Sequence, residues 1–371
     1  MKKYFIPFSN CIPVKGYTRS MLYDLQRNEL LPIPNELADI LQLKHSNNLS
    51  NIYNTLSEVS TSLILDDYFD FLESNELIFY SEDENEIDFF PSLNFEWDYP
   101  GLFIDIIIEL TDNNQNEIKQ FLIYFEKNGG RFVEIRYFGQ GFQIINNFLR
   151  SLCNSAIRSI GLYILNDVFE ESQLNEFYSS NNRISKIIVY SERQKKHQSK
   201  IFKYVNEINW GENNLVEKDS MIINMNYFME SHFFNPFFNK KLFINKNCEI
   251  KNTPKSNKIL GEISRDNVDY TILKDFDTIK DVTKDKVDIC KNCEFRYSCF
   301  DHRIPENREQ NEWFHKIECN YNPYICKWRD EEGYQTLEEC GVISNEKGFS
   351  IDHKKIAKIN AILWSEEVME N

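Results

Sequence analysis

The sequence predicts an α/β protein in three parts, and three observations carry that prediction. Residues 1–82 read as a β-hairpin, three helices and a short strand. Residues 89–240 alternate near-continuous apolar strands with helical stretches, the pattern of βα units around a parallel sheet, closed or open. Residues 241–371 hold most of the nine cysteines. A chain of 371 residues is long enough for two or three domains.

Within the first part, "VKGYTRSMLYDLQRNELLPIP" has β-prone residues on both sides of "QRN" and predicts the hairpin. Pro34 and Asn35 start a helix with Leu37, Ile40 and Leu41 on one face. Leu49, Ile52, Tyr53 and Leu56 form the i, i+3, i+4, i+7 stripe of a second helix, "LDDYFDFLESN" predicts a third, and "ELIFYSE" a strand. This order is that of a small winged-helix domain. Asp66, Asp67, Asp70 and Glu73 make its would-be recognition helix acidic, which repels a duplex. Two readings stay open: a groove where a peptide adds to the hairpin edge, or a structural cap.

"SEDENEID", Ser81 to Asp88, predicts an acidic linker or exposed turn. In the second part the expected strands are "LFIDIIIEL", "RFVEIRYFG", "SIGLYIL", "KIIVYSE" and "MIINMNYF", with "FQIINNFLRSLCNSAI" and "ESQLNEFYSS" as helices. Five or six such units make a partial (β/α) barrel. The sequence contains no Gly-rich phosphate loop, His-Glu-x-x-His or nucleophile elbow here. Cys153, among apolar residues, reads as a core filler.

Charge narrows the partners. Lys and Arg total 42 against 58 Asp and Glu, a net charge of −16, which counts against nucleic acid as the main partner. The basic stretch "RQKKHQSK", Arg193 to Lys200, reads as a solvated turn or helix face, with an anion or peptide contact as the alternative. The start lacks a signal-peptide core, and no stretch approaches 18 uncharged apolar residues, so the expectation is a cytoplasmic protein without a membrane partner. In a reducing compartment, clustered cysteines are metal ligands or redox groups rather than disulfides.

Cys290, Cys293 and Cys299 have the spacing C-x2-C-x5-C, and Cys319 and Cys326 follow. Soft thiolates suit zinc or an iron–sulfur cluster, whereas magnesium and calcium demand oxygen ligands. Structural zinc takes two short hooks; a single hook with dispersed partners suits a 4Fe–4S cubane. Zinc, and free buried cysteines, stay as alternatives. Phe295 and Tyr297 would shield the site, and Arg296 would offset cluster charge or form a surface ion pair. The tail "DHKKIAKINAILWSEEVMEN" is helical in pattern.

"CKNCEFRYSCFDHR" followed by "CNYNPYICKW", with the N-terminal "NCIPVKGYTRSMLYDLQ", resembles the SPASM-domain peptide maturases of grasp-with-spasm (graspetide-type) systems. The resemblance implies a RiPP maturation protein. Its winged helix, a RiPP recognition element, would bind the precursor's leader peptide, and an ATP-grasp ligase would be its partner. Residues 89–240 would be a degenerate radical-SAM-like partial barrel, and residues 241–371 a SPASM-like Fe–S domain with a C-terminal helix. It further implies a single auxiliary 4Fe–4S cluster on Cys290, Cys293, Cys299 and Cys319, with Cys326 competing for the last position. The chain departs from the family at two places. No C-x3-C-x2-C loop occurs, so no S-adenosylmethionine and no radical chemistry of the usual kind are expected, and a scaffold or accessory role is favoured over catalysis. The first auxiliary cluster reads as lost, because Phe237 and Thr253 stand at its ligand positions, Cys248 at its glycine, and His302 or Arg303 at the later cysteine. An enzyme of unrecognised redox chemistry on the precursor, or a zinc-stabilised binding protein, is the alternative.

Overall fold

The computed structural model describes residues 3–42, 48–56, 62–191, 201–205, 216–218, 221–263, 278–308 and 311–365. The basic stretch 193–200 lies outside them. The chain is a mixed α/β protein that divides into two compact units built from interleaved segments. The first comprises Met1–Trp97, Asn214–Pro236 and Asp281–Asn371; the second comprises Asp98–Asn213 and Phe237–Lys280.

In the first unit, β1 (Tyr4–Pro7) is followed by β2 (Cys11–Lys15), β3 (Ser20–Asp24) and β4 (Glu29–Ile33), an antiparallel sheet in the order β2-β3-β4. The β3–β4 hairpin is the expected one, in register Ser20↔Ile33 to Asp24↔Glu29. Asp24 fixes the turn by accepting from the amides of Gln26 and Arg27, both at 3.0 Å, and Asn28 takes the left-handed φ of 59° that closes it. Helices α1 (Asn35–Gln42), α2 (Leu49–Leu56) and α3 (Ser62–Ser74) come next, then β5 (Ile78–Ser81), which pairs with β1 rather than with the hairpin. The acids Asp66, Asp67, Asp70 and Glu73 all lie on the exposed side of α3. The acidic stretch after β5 is an exposed 3-10 turn, Glu84–Phe89.

All five residues of β3 are buried, and alternation along a strand explains why. Leu22 faces a core with Leu37, Ile40, Ile52, Leu65 and Phe69 from the three helices. Met21 and Tyr23 face the opposite way, into a core with Phe228, Phe295, Tyr321 and Trp328. The N-terminal sheet is therefore covered on both faces, once by its own helices and once by C-terminal residues.

The second unit carries a large sheet. Strands β6 (Asp105–Leu110), β7 (Phe132–Tyr137), β8 (Ser159–Ile164), β9 (Ile184–Tyr190) and β10 (Phe202–Val205) run parallel, with α4 (Gln115–Lys127), α5 (Phe142–Ser151) and α6 (Glu171–Ser180) as the crossovers. β11 (Lys241–Ile244) adds parallel to β6, and β12 (Glu249–Lys251) and β13 (Gly261–Glu262) extend that side antiparallel. The order is β10-β9-β8-β7-β6-β11-β12-β13. The strand ends carry one polar clasp: the Asp112 carboxylate accepts from the Tyr137 hydroxyl and from the Gln140 amide at 3.1 Å.

Of the expected strand "MIINMNYF", Met221 makes only an isolated antiparallel bridge to Cys299, and the second half opens α7 (Met225–Phe233) in the first unit. Asn224 caps it, its side chain accepting from the Tyr227 amide at 2.9 Å. A capped end thus overrides the β-prone composition. The rest of the first unit is short hairpins, β14–β15 (Glu306–Asn307, Trp313–Phe314), β16–β17 (Tyr321–Asn322, Lys327–Trp328) and β18–β19 (Val342–Asn345, Gly348–Ile351), followed by the expected tail helix α8 (His353–Leu363). Among the described residues, no helix is long and apolar enough to cross a membrane.

Candidate metal centre

The cysteine stretch opens with two 3-10 turns, Lys284–Lys286 and Cys290–Asn292, and Ile289 between them has φ 61°. A β-branched residue rarely adopts that left-handed conformation, so the chain is held in a strained turn immediately before Cys290. Cys290, Cys293, Cys299 and Cys319 then line one cavity of about 410 Å³ within the first unit. Cys319 enters from the start of β16, some way along the chain from the other three.

Cys326 does not line this cavity. It is buried beside Arg19, Glu294 and Tyr321, with its sulfur 3.8 Å from the Pro323 carbonyl oxygen, and burial pushes its thiol up to about 12. Cys340 is buried too, accepting at 3.4 Å from the side-chain amide of Asn322. Cys11 packs in the N-terminal core, and Cys153 donates to the Ser180 carbonyl at 3.0 Å in the second unit. Phe237, Cys248 and Thr253 also belong to the second unit, all of them buried. His302 is half-buried against the Phe300 ring at 4.9 Å and is not among the cavity's lining residues.

Phe295 lines the cavity and continues an aromatic wall of Tyr321 and Trp328, with ring centroids 5.0 and 6.0 Å away. Tyr297 does not line it; its ring stacks on His232 at 3.8 Å and its hydroxyl donates to Asp285 at 2.9 Å. Arg296 pairs with Asp285 at 2.9 Å while also donating to the carbonyls of Lys15 and Cys293.

One set of charged residues escapes a reading of spacing alone. Lys284, Arg303 and His315 line the cavity together with the cysteines, and all three surround Asp301. Lys284 bonds to Asp301 Oδ2; Arg303 donates from Nη2 and Nε to its two oxygens at 2.8 and 2.9 Å. Burial alone would raise the Asp301 carboxyl, but the two cations hold it well below the usual carboxylate range. His315 Nε2 lies 3.5 Å from Asp301 Oδ2, and the His315, Asp301 and Cys290 ligand atoms are all within 4.8 Å of one another. Burial and the nearby Arg303 push the imidazole well below its ordinary value, which keeps it neutral. The only sequence hint of His315 is its place four residues ahead of Cys319.

The cavity lining is mixed in charge, with Lys284, Arg296, Arg303 and Lys316 alongside Asp288, Glu318 and Glu338, and Lys284 and Arg303 are the cations that favour the thiolate form of Cys290. Burial pushes the Cys290, Cys293 and Cys299 thiols up, so as bare thiols they hold on to their protons. A bound thiophilic metal reverses that preference, since coordination deprotonates the thiol. Four soft donors, with Lys284 and Arg303 beside Cys290, therefore fit an anionic metal–thiolate group.

No protein-family model matches the chain, and no curated protein matches it. Among solved structures, the chain is similar to SuiB of Streptococcus suis bound to S-adenosylmethionine, at 11% identity and a TM-score of 0.37, covering 84% of this chain and 99% of that one. A second SuiB structure gives 11% identity and a TM-score of 0.33, covering 79% and 94%. Likenesses this loose leave the function to be read from the chain's own residues.

Proposed function

We propose that this chain is a peptide-maturation protein of a ribosomal-peptide pathway. It binds a precursor's leader through its N-terminal, winged-helix-like part and holds one 4Fe–4S cluster on Cys290, Cys293, Cys299 and Cys319 in a SPASM-like region. It acts beside an ATP-grasp ligase, without cleaving S-adenosylmethionine. The observation that carries the reading is the convergence of those four cysteines on one cavity, which Lys284 and Arg303 also line.

The sulfur spacing favours a cluster over a zinc held by the four cysteines; the one close group of possible metal ligands among the described residues is Cys290, Asp301 and His315. A tetrahedral zinc with bonds of about 2.3 Å brings its sulfurs to about 3.8 Å from one another. Among the described residues, no three of the four cysteine sulfurs lie within 4.8 Å of one another. A cubane spaces its ligands more widely. When bound it supplies a one-electron centre or a cross-link between the two cysteine stretches. Lys284 and Arg303 contribute charge that offsets the thiolates, and the Phe295–Tyr321–Trp328 wall excludes water.

The peptide part of the reading rests on β4, an outer strand of the β2-β3-β4 sheet with mostly exposed or half-exposed residues, and on the acidic face of α3. An outer strand offers backbone groups to an added strand, and the acids favour a basic peptide over a phosphate backbone. Iron, sulfide and zinc analysis of anaerobically purified protein tests the metal assignment; stoichiometric zinc without sulfide defeats it. Hydrogen exchange of the full chain with its precursor peptide tests the leader site. Protection is expected in 29–33 and 62–74, and absent binding, or protection confined elsewhere, defeats that part.

A further inference from the structure

Outside the four cysteines, the cavity contains one group with no evident task. His315 has only 5% of its side chain exposed; neither ring nitrogen makes a well-formed hydrogen bond, and the backbone of Ile304 is the polar main-chain group that acts on the ring. Leaving both polar atoms of a buried imidazole unsatisfied is costly, so such a group usually has a partner that arrives later. Its neighbours narrow what that partner is. Asp301 is already committed to Lys284 and Arg303. Cys290 is the remaining side chain of the close group of three, its sulfur within 4.8 Å of the imidazole.

We infer that His315 donates an N–H···S hydrogen bond to the Cys290 sulfur of the bound cluster, and that with Lys284 and Arg303 it makes the cluster an electron-accepting centre rather than an inert cross-link. The inference rests on the metal assignment proposed above. Reduction adds one negative charge to the cluster and its thiolates. A donor to a ligating sulfur and two buried cations stabilise that charge, which raises the reduction potential. Asp301 acts as the positioning residue: its carboxylate holds the two cations and faces His315 Nε2. The electron itself would come from a reductase or a small-molecule one-electron donor.

The test has two arms on the anaerobically purified full chain. In protein labelled with [15N]histidine and reduced with dithionite, pulsed electron paramagnetic resonance is expected to show a weak histidine nitrogen coupling. A coupling of the strength of direct ligation, or none, overturns the inference. In the second arm the midpoint potential of His315→Phe is compared with wild type. The reduced-to-oxidised ratio at a fixed applied potential is expected to fall about tenfold, equal to about 59 mV for one electron. His315→Gln, which keeps an N–H donor, is expected to recover part of the shift. An unchanged potential in a cluster-loaded His315→Phe protein overturns the inference, and where that variant does not load, Lys284→Met replaces it under the same criterion. Wild-type protein lacking iron and sulfide would instead remove the metal assignment itself.

Discussion

Arg19, at the entry to β3, donates from Nε to Oε1 of Glu294 at 2.9 Å, and Glu294 is the residue directly after Cys293. The carboxylate is fully buried and also accepts from the Tyr321 hydroxyl, while the Tyr23 hydroxyl donates to its backbone carbonyl at 2.9 Å. Three residues from the two ends of the chain thus fix the backbone beside a proposed ligand. Gly16 completes the contact: a Cβ there would sit 2.5 Å from the Arg19 carbonyl oxygen and 3.0 Å from Glu294.

Arg19→Met leaves that carboxylate buried without its cation. Breaking one side of a buried pair costs about 3–5 kcal/mol, and the partial exposure of Arg19 places the expected loss near about 3 kcal/mol. Urea unfolding at neutral pH measures it. A change under about 1 kcal/mol would mean that Tyr321 alone satisfies Glu294.

Metal retention separates the competing cysteines. Cys293→Ala is expected to abolish iron and sulfide binding and to leave the C-terminal region insoluble, because metal binding is coupled to folding. Cys326→Ala is expected to load as wild type does, since Cys326 lies outside the cavity beside Arg19 and Glu294. Loss of iron from Cys326→Ala, with Cys319→Ala loading normally, would exchange Cys326 for Cys319.

Acid sensitivity of the second unit should run partly through Asp112. Burial alone would raise its carboxyl, but the Tyr137 hydroxyl and the Gln140 and Gly141 amides hold it below its ordinary 3.8. A carboxylate lowered by folding contributes stability that is present above the ordinary value and is lost as pH falls through the folded value. Asp112→Asn should therefore melt lower than wild type near neutrality, with the difference closing below pH 3.8. A constant gap across that range in a pH series of melting curves would show that the charge is irrelevant.

The N-terminal part should not behave as a free-standing domain. A fragment of residues 1–97 keeps the helix-facing core of Leu22 but uncovers Val14, Met21, Tyr23 and Leu25, whose partners include Phe228, Phe295, Tyr321 and Trp328. It is expected to bind a hydrophobic dye and to self-associate in gel filtration. A monomeric fragment with cooperative melting would contradict this.

The elements read most easily from sequence were those with a strong local signal. "DIIIEL", "FVEIRY", "SIGLYI" and "ISKIIVY" are apolar strands bounded by polar turns, and β6 to β9 lie there. The Cys290–Cys293 hook declares itself by spacing, and Cys319 joins it in the cavity. What spacing could not supply is the surround. Lys284, Asp301, Arg303 and His315 become neighbours through irregular turns, which carry no periodicity. The core of Met21 and Tyr23 on β3 was equally hidden, because its partners come from the far end of the chain. "MIINMNYF" went to the helix through a single cap at Asn224, a signal weaker than its β-prone composition.

The two-sided burial of β3 also sets a timetable for biosynthesis. Met21 and Tyr23 leave the ribosome some 270 residues ahead of Phe295 and Tyr321, with the whole second unit made in between. At about 5–20 residues per second, that delay is on the order of 15 to 55 s. Throughout it the nascent sheet presents a sticky apolar side to the cell, and the segments that finally cover it include the ones bearing the proposed ligands. On the proposed assignment, cluster delivery becomes the closing event of folding, and iron starvation is expected to leave a half-finished chain open to chaperones and proteases.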